Sequence, residues 1–135
     1  MTPATERRLL QAAVLVGGLV PVSAGLSGAL LGPRMVDAMG SADLDSHTRY
    51  LSGILLGLGL AAWAMVPSVE RRGEAFRLLA FAVLVGGLAR LAGLALGPTP
   101  GLPMRLALVM ELVVTPGLAL WQARVARRLG ALTQG

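Results

Sequence analysis

The sequence predicts an all-α integral membrane protein, a four-transmembrane-helix bundle, and three observations lead there. Apolar residues make up 55% of the chain and charged residues only 14%, and the mean hydropathy of +0.71 lies far outside the range of soluble domains. The apolar residues gather into four long runs, each near the ~20 residues that a helix needs to cross ~30 Å of hydrocarbon. Glycine, proline and arginine punctuate the ends of those runs, as helix breakers and interfacial charges should. Four spans and their connections use up all 135 residues, so a single domain over 1–135 is expected.

The first helix is expected at about 9–31, a stretch without a charge that follows Glu6, Arg7 and Arg8 and closes at Gly32-Pro33. It is longer than the apolar core of a signal peptide and reads as a retained span. The second, about 47–66, ends at Pro67, and the third, about 74–96, ends at Gly97-Pro98. The fourth, about 103–123, holds Glu111 and Pro116 and leads through Arg124, Arg127 and Arg128 into a short polar tail. Pro116 has no N–H to give the carbonyl of Leu112, so a kink is expected there.

Composition also excludes chemistry. The chain has no cysteine and one histidine, His47, which removes thiol chemistry and leaves no familiar metal site, so neither cofactor nor metal is expected. All 12 basic residues are arginine, a bias that suits a GC-rich bacterial genome. A pI near 11.5 would suggest nucleic acid in a soluble protein, but these arginines flank apolar runs, as anchors to anionic lipid do. Membrane lipids, not nucleic acid, are the expected partners.

Orientation follows from the arginines. Arg7, Arg8, Arg71, Arg72, Arg77, Arg124, Arg127 and Arg128 fall at one end of a four-span topology and Arg34, Arg49 and Arg105 at the other, which places both termini in the cytoplasm of a bacterial inner membrane. Trp63 and Trp121 then sit at the cytoplasmic ends of helices 2 and 4, at interfacial depth.

The chain also repeats itself: VLVGGL occurs at Val14–Leu19 and Val83–Leu88, and GLAxW at Gly59–Trp63 and Gly117–Trp121. Two repeated helical hairpins related by a parallel pseudo-twofold would explain this and argue against an inverted-repeat transporter. Gly28-xxx-Gly32, Gly53-xxx-Gly57 and Gly93-xxx-Gly97 predict close helix packing, with glycine faces left over for a homo-oligomer.

Against this background Arg90 stands out. Its helical neighbours are Gly86, Gly87, Gly93 and Gly97, which points it into the protein. It lies about seven residues, or roughly 10 Å, from the outer end of helix 3, and Glu111 lies at a similar depth on helix 4. An unpaired charge at such depth costs roughly 3 kcal/mol, so the two are expected to meet. Arg49 at the start of helix 2, with Asp45, His47 and Tyr50, falls in the same outer leaflet, and Thr115 lies one turn from Glu111. Two arginines against one buried glutamate predict a net positive, outward-facing polar pocket for a lipid headgroup or another anionic amphiphile. The competing expectation is a structural clamp, with Arg49 snorkelling. Asp37, Asp43 and Asp45 read as a solvated acidic loop.

HTRYLSGILLGLGL in helix 2, GLARLAGLALGPTPG in helix 3 and the glutamate of MELVV in helix 4 resemble the bacterial four-helix membrane family labelled domain of unknown function 4345. The resemblance implies that Arg49, Arg90 and Glu111 are the characteristic polar positions. It implies no activity. Small multidrug transporters share the size and helix count, but their membrane glutamate belongs in the first helix, which has none here. No nucleophile set, metal cluster or phosphate loop supports an enzyme, so the expectation is a non-enzymatic binding or accessory membrane protein, with proton-coupled transport through Glu111 as the alternative.

Overall fold

The computed structural model describes residues 1–132 and contains helices and no strand among them. The elements are α1 (Pro3–Leu31), a 3-10 turn (Gly32–Val36), α2 (Ala42–Met65), a second 3-10 turn (Val66–Arg71), α3 (Gly73–Leu96), α4 (Leu102–Val109), a π-helical turn (Met110–Val114) and α5 (Thr115–Leu132). Four stretches are long and apolar enough to cross a membrane: Pro3–Val36, Ala42–Arg71, Gly73–Leu96 and Leu102–Ala131.

The helices begin and end for local reasons. Thr2 accepts from the Thr5 N–H and Pro3 fills the first helical position, where its missing donor costs nothing. Helix α1 thus starts six residues before the expected span and takes Glu6, Arg7 and Arg8 into its first turns. Gly32 stops it with φ +59, a left-handed conformation that suits glycine. Helix α2 also starts early, because the Ser41 hydroxyl accepts from the Leu44 N–H and Asp43 and Asp45 occupy the first turn, where acids complement the helix dipole. These two acids are therefore a helix start rather than the solvated loop expected of them. The polar tail expected after Arg128 is helical through Leu132, and residues 133–135 lie outside the described residues.

Two compact units divide the chain: residues 11–67, and residues 1–10 with 68–135. The first is built on the α1–α2 hairpin. Gly18 lies against the Trp63 indole, Gly25 against the backbone of Leu56, and Gly59 against Pro21 and Val22. The Trp63 Nε1–H donates to the Leu15 carbonyl at 2.9 Å. Small residues at these positions let the two helix backbones approach closely.

The second unit pairs α3 with the helix formed by α4, the π-helical turn and α5, and adds the first residues of α1. Leu10, Val69, Phe76, Ala80 and Val125 form its buried apolar set, with Gln122 fully buried and its Nε2–H donating to the Val69 carbonyl at 2.9 Å. Many large apolar side chains elsewhere are exposed, including Leu19, Leu60, Leu78, Phe81, Leu96 and Leu120.

The glycines expected to pack do so selectively. A side chain on Gly28, Gly32 or Gly87 would run into a neighbour, whereas Gly53, Gly57, Gly86 and Gly93 meet nothing within 4 Å. Spacing alone gives the face on which a glycine lies, and packing depends on what stands opposite it.

Candidate functional site

Arg90 and Glu111 meet directly. From α3, Arg90 donates through Nε to Glu111 Oε2 at 2.9 Å and through Nη2 to Oε1 at 3.0 Å, the two-point geometry that matches a planar guanidinium to a carboxylate. A third donor, Nη1, is 3.1 Å from the Met104 sulfur, a weak acceptor. Glu111 is mostly covered, while Arg90 keeps 34% of its side-chain surface.

Two backbone features position this pair. Gly87, one turn before Arg90, lies against Glu111 Cβ and Leu112, so the absence of a side chain there lets the helices approach. Glu111 itself sits in the π-helical turn Met110–Val114, a widened geometry that recurs at functional sites. The Thr115 N–H and hydroxyl both donate to the Met110 carbonyl, the latter at 2.9 Å. Pro116 follows with no N–H, so the widened turn stands where an ordinary helix would lack a donor. The Thr115 hydroxyl, one turn from Glu111, thus serves the backbone of its own helix rather than the ion pair.

Arg49 is held differently, inside the other unit. Its Nε donates to Asp45 Oδ2 at 2.7 Å and its Nη2 to Oδ1 at 3.2 Å. Nη1 donates to the carbonyls of Ala29 and Leu30 at 2.9 and 2.7 Å, in the last turn of α1, where carbonyls lack helical partners and a cation is favourable. Asp45 also lies directly over Gly32. The arginine is therefore an ordered cap of α1 rather than a snorkelling charge.

The expected net positive charge does not survive this arrangement. Each arginine has its own carboxylate, Asp45 for Arg49 and Glu111 for Arg90, and the two pairs belong to different compact units. His47 and Tyr50 are exposed on α2, and neither joins the Arg49–Asp45 pair. Shallow recesses among the described residues include two lined by charged side chains. One, of about 240 Å³, is lined by Pro33, Arg34, Ala38, Met39, Gly40 and Asp45. The other, of about 450 Å³, lies along Arg71–Arg77, and neither is bordered by Arg90 or Glu111.

A second polar cluster escaped the sequence reading. Glu6 is only 2% exposed, and its carboxylate takes Arg124 Nε at 3.3 Å and Arg128 Nη1 at 2.7 Å. Glu70, also covered, takes Arg7 Nε at 3.1 Å and lies 3.9 Å from Arg71 Nε. A signal for the first was available: Arg124 and Arg128 are four residues apart, one face of a helix, and Glu6 and Glu70 are rare acids among eight arginines. Treating those arginines only as lipid anchors hid it.

Comparison with known families gives a match over most of the chain: the model described as "Domain of unknown function (DUF4345)" covers residues 9–122. The chain belongs to the DUF4345 family. The match takes in Arg49, Arg90 and Glu111 and brings no activity to them. Neither the curated proteins nor the solved structures offer a match.

Proposed function

We propose that this DUF4345 protein is a non-enzymatic integral membrane protein in which the Arg90–Glu111 pair pins α3 to the helix opposite and presents the spare edge of Arg90 to a lipid or anionic amphiphile. The observation that carries the reading is the donor count at Arg90. A guanidinium has five N–H groups; Glu111 takes two and the Met104 sulfur takes one weakly, while a third of the side chain stays exposed. Arg49 plays no part, since Asp45 and two carbonyls occupy it.

Several features support the membrane setting. Four helices have the required length and apolarity, and the exposed Leu, Val and Phe side chains suit contact with acyl chains. For orientation, the Glu6 and Glu70 ion pairs gather Arg7, Arg71, Arg124 and Arg128 at one end of their unit. That grouping suits a cytoplasmic end with both termini inside, and the arginine-only basic set suits a bacterial inner membrane.

Native mass spectrometry of protein released from nanodiscs tests the reading. Bound lipid should fall in Arg90→Leu and persist or rise in Glu111→Gln, which frees the guanidinium. If neither variant changes lipid content and both unfold readily, the pair is a clamp and nothing more. The π-helical turn at Glu111 favours a second reading, proton-coupled transport. It requires pH-dependent flux in proteoliposomes that Glu111→Gln abolishes.

A further inference from the structure

The chain has six methionines and no cysteine, so its sulfur redox chemistry rests on thioethers. Their surroundings differ. Met39 is 96% exposed, whereas Met65 is 8% exposed. Met104 is half-buried in the first turn of α4. Among the described residues it is the methionine whose sulfur takes a hydrogen bond, from Arg90 Nη1 at 3.1 Å.

A thioether is a poor match for that donor. Sulfur is a weak acceptor, so Nη1 gains far less from it than a guanidinium gains from an oxygen. The donor cannot swing to a better partner, because Nε and Nη2 fix the guanidinium plane on the two oxygens of Glu111. A charged N–H is thus held against the one atom of Met104 that oxidation changes.

Oxidation would alter the acceptor at that spot. The sulfur lone pair attacks the distal oxygen of a hydroperoxide, an S–O bond forms and the O–O bond breaks. The leaving oxygen takes the proton that the transferred oxygen carried and departs as water or an alcohol. Sulfur gives up two electrons and the hydroperoxide accepts them. In apolar packing the resulting sulfoxide is an unwelcome polar group. Beside Arg90 its oxygen meets a donor already in place, and the flexible methionine chain lets the sulfur shift to make room.

We infer that Met104 is a reversible oxidation site, at which the sulfoxide oxygen replaces the sulfur as acceptor from Arg90 Nη1 and fastens the first turn of α4 to α3. Met104 lies two residues from Leu102, where a membrane-length stretch begins. Hydrogen peroxide dissolved in water therefore meets it at the end of the apolar run rather than across it. The tie uses an N–H other than the two given to Glu111, and it stands whether or not Arg90 also holds a lipid.

The test treats the full chain in nanodiscs with hydrogen peroxide, scores sulfoxide at each methionine by peptide mass spectrometry, and reads the thermal unfolding midpoint before and after. Met104 should convert after Met39 and before Met65, in order of exposure. Met104→Leu keeps the other methionines, so its loss on oxidation measures damage elsewhere. The wild type should lose about 3–5 °C less than Met104→Leu, the shift that one charge-assisted hydrogen bond brings in a domain of this size. Methionine sulfoxide reductases should return it to its starting midpoint. Met104→Gln, which supplies a side-chain oxygen without any oxidant, should melt above Met104→Leu by a similar margin. Conversion of Met65 ahead of Met104, a loss in the wild type equal to or greater than that in Met104→Leu, or Met104→Gln melting no higher than Met104→Leu would each overturn the inference.

Discussion

In the α1–α2 hairpin the arginine faces the last turn of the neighbouring helix, whereas in the hairpin of α3 with the helix that begins as α4 it faces the neighbour's interior, and that difference decides how each is satisfied. Arg49 reaches the carbonyls of Ala29 and Leu30 at the end of α1 and takes its carboxylate from Asp45, one turn back on its own helix. Backbone acceptors are free there because a helix leaves its last carbonyls unbonded. Arg90 instead faces Glu111 in the π-helical turn that follows α4, well past the start of that helix at Leu102, where most backbone carbonyls are already engaged within the helix. Only a side chain can answer it, and Glu111 on the facing helix does so. The first arrangement ties two helices through backbone, and the second through a pair of charges that must both be present.

The largest effect should come from breaking the second arrangement. Arg90→Leu leaves a mostly covered Glu111 without its cation, and we expect a loss of about 3 kcal/mol or more, read as unfolding in mixed micelles. Next come the glycines. Gly87→Ala drives a methyl group to within 2.8 Å of Glu111 Cβ and Leu112 Cδ2 and should cost about 1–3 kcal/mol. Gly25→Ala meets the Leu56 backbone, which cannot turn aside, and should cost at least as much. Gly86→Ala and Gly53→Ala enter open space and should be neutral or stabilising by up to about 1 kcal/mol, because alanine loses less backbone freedom on folding. Equal effects of Gly86→Ala and Gly87→Ala would show that spacing, not the facing residue, sets the packing.

The smallest effect should come from the first arrangement. Asp45→Asn removes an ion pair whose two side chains are both more than a third exposed, so water can take over. The loss should be well below that of Arg90→Leu and should shrink as salt is added. A loss as large as that of Arg90→Leu would erase the distinction between the hairpins.

Much of this was legible in the sequence. Hydropathy and breakers located four helices because each apolar run has the length of a membrane span, and two opposite charges at matched depth in their apolar runs were placed to find each other. Helix starts were misplaced toward the apolar runs, since capping by Thr2 and Ser41 extends helices into polar sequence that hydropathy does not see. The π-helical turn at Glu111 was not legible either. Pro116 announced a lost donor, but whether the chain kinks or widens depends on where Thr115 finds its acceptor. The repeat is likewise only partly carried into packing: Gly18 and Gly87 occupy matching positions and both meet the facing helix, while Gly59 is packed and its counterpart Gly117 is open. Two-sided contacts such as Glu6 with Arg124 and Arg128 depend on folding that a linear scan of charge does not contain.

The most direct test is a double-mutant cycle on Arg90→Leu and Glu111→Leu, with stability measured in the same nanodisc for the wild type, both single variants and the double variant. If the two side chains answer one another between α3 and the π-helical turn that follows α4, the double variant should recover most of the loss, with a coupling of about 2 kcal/mol or more. Additive losses, with coupling below about 0.5 kcal/mol, would contradict it.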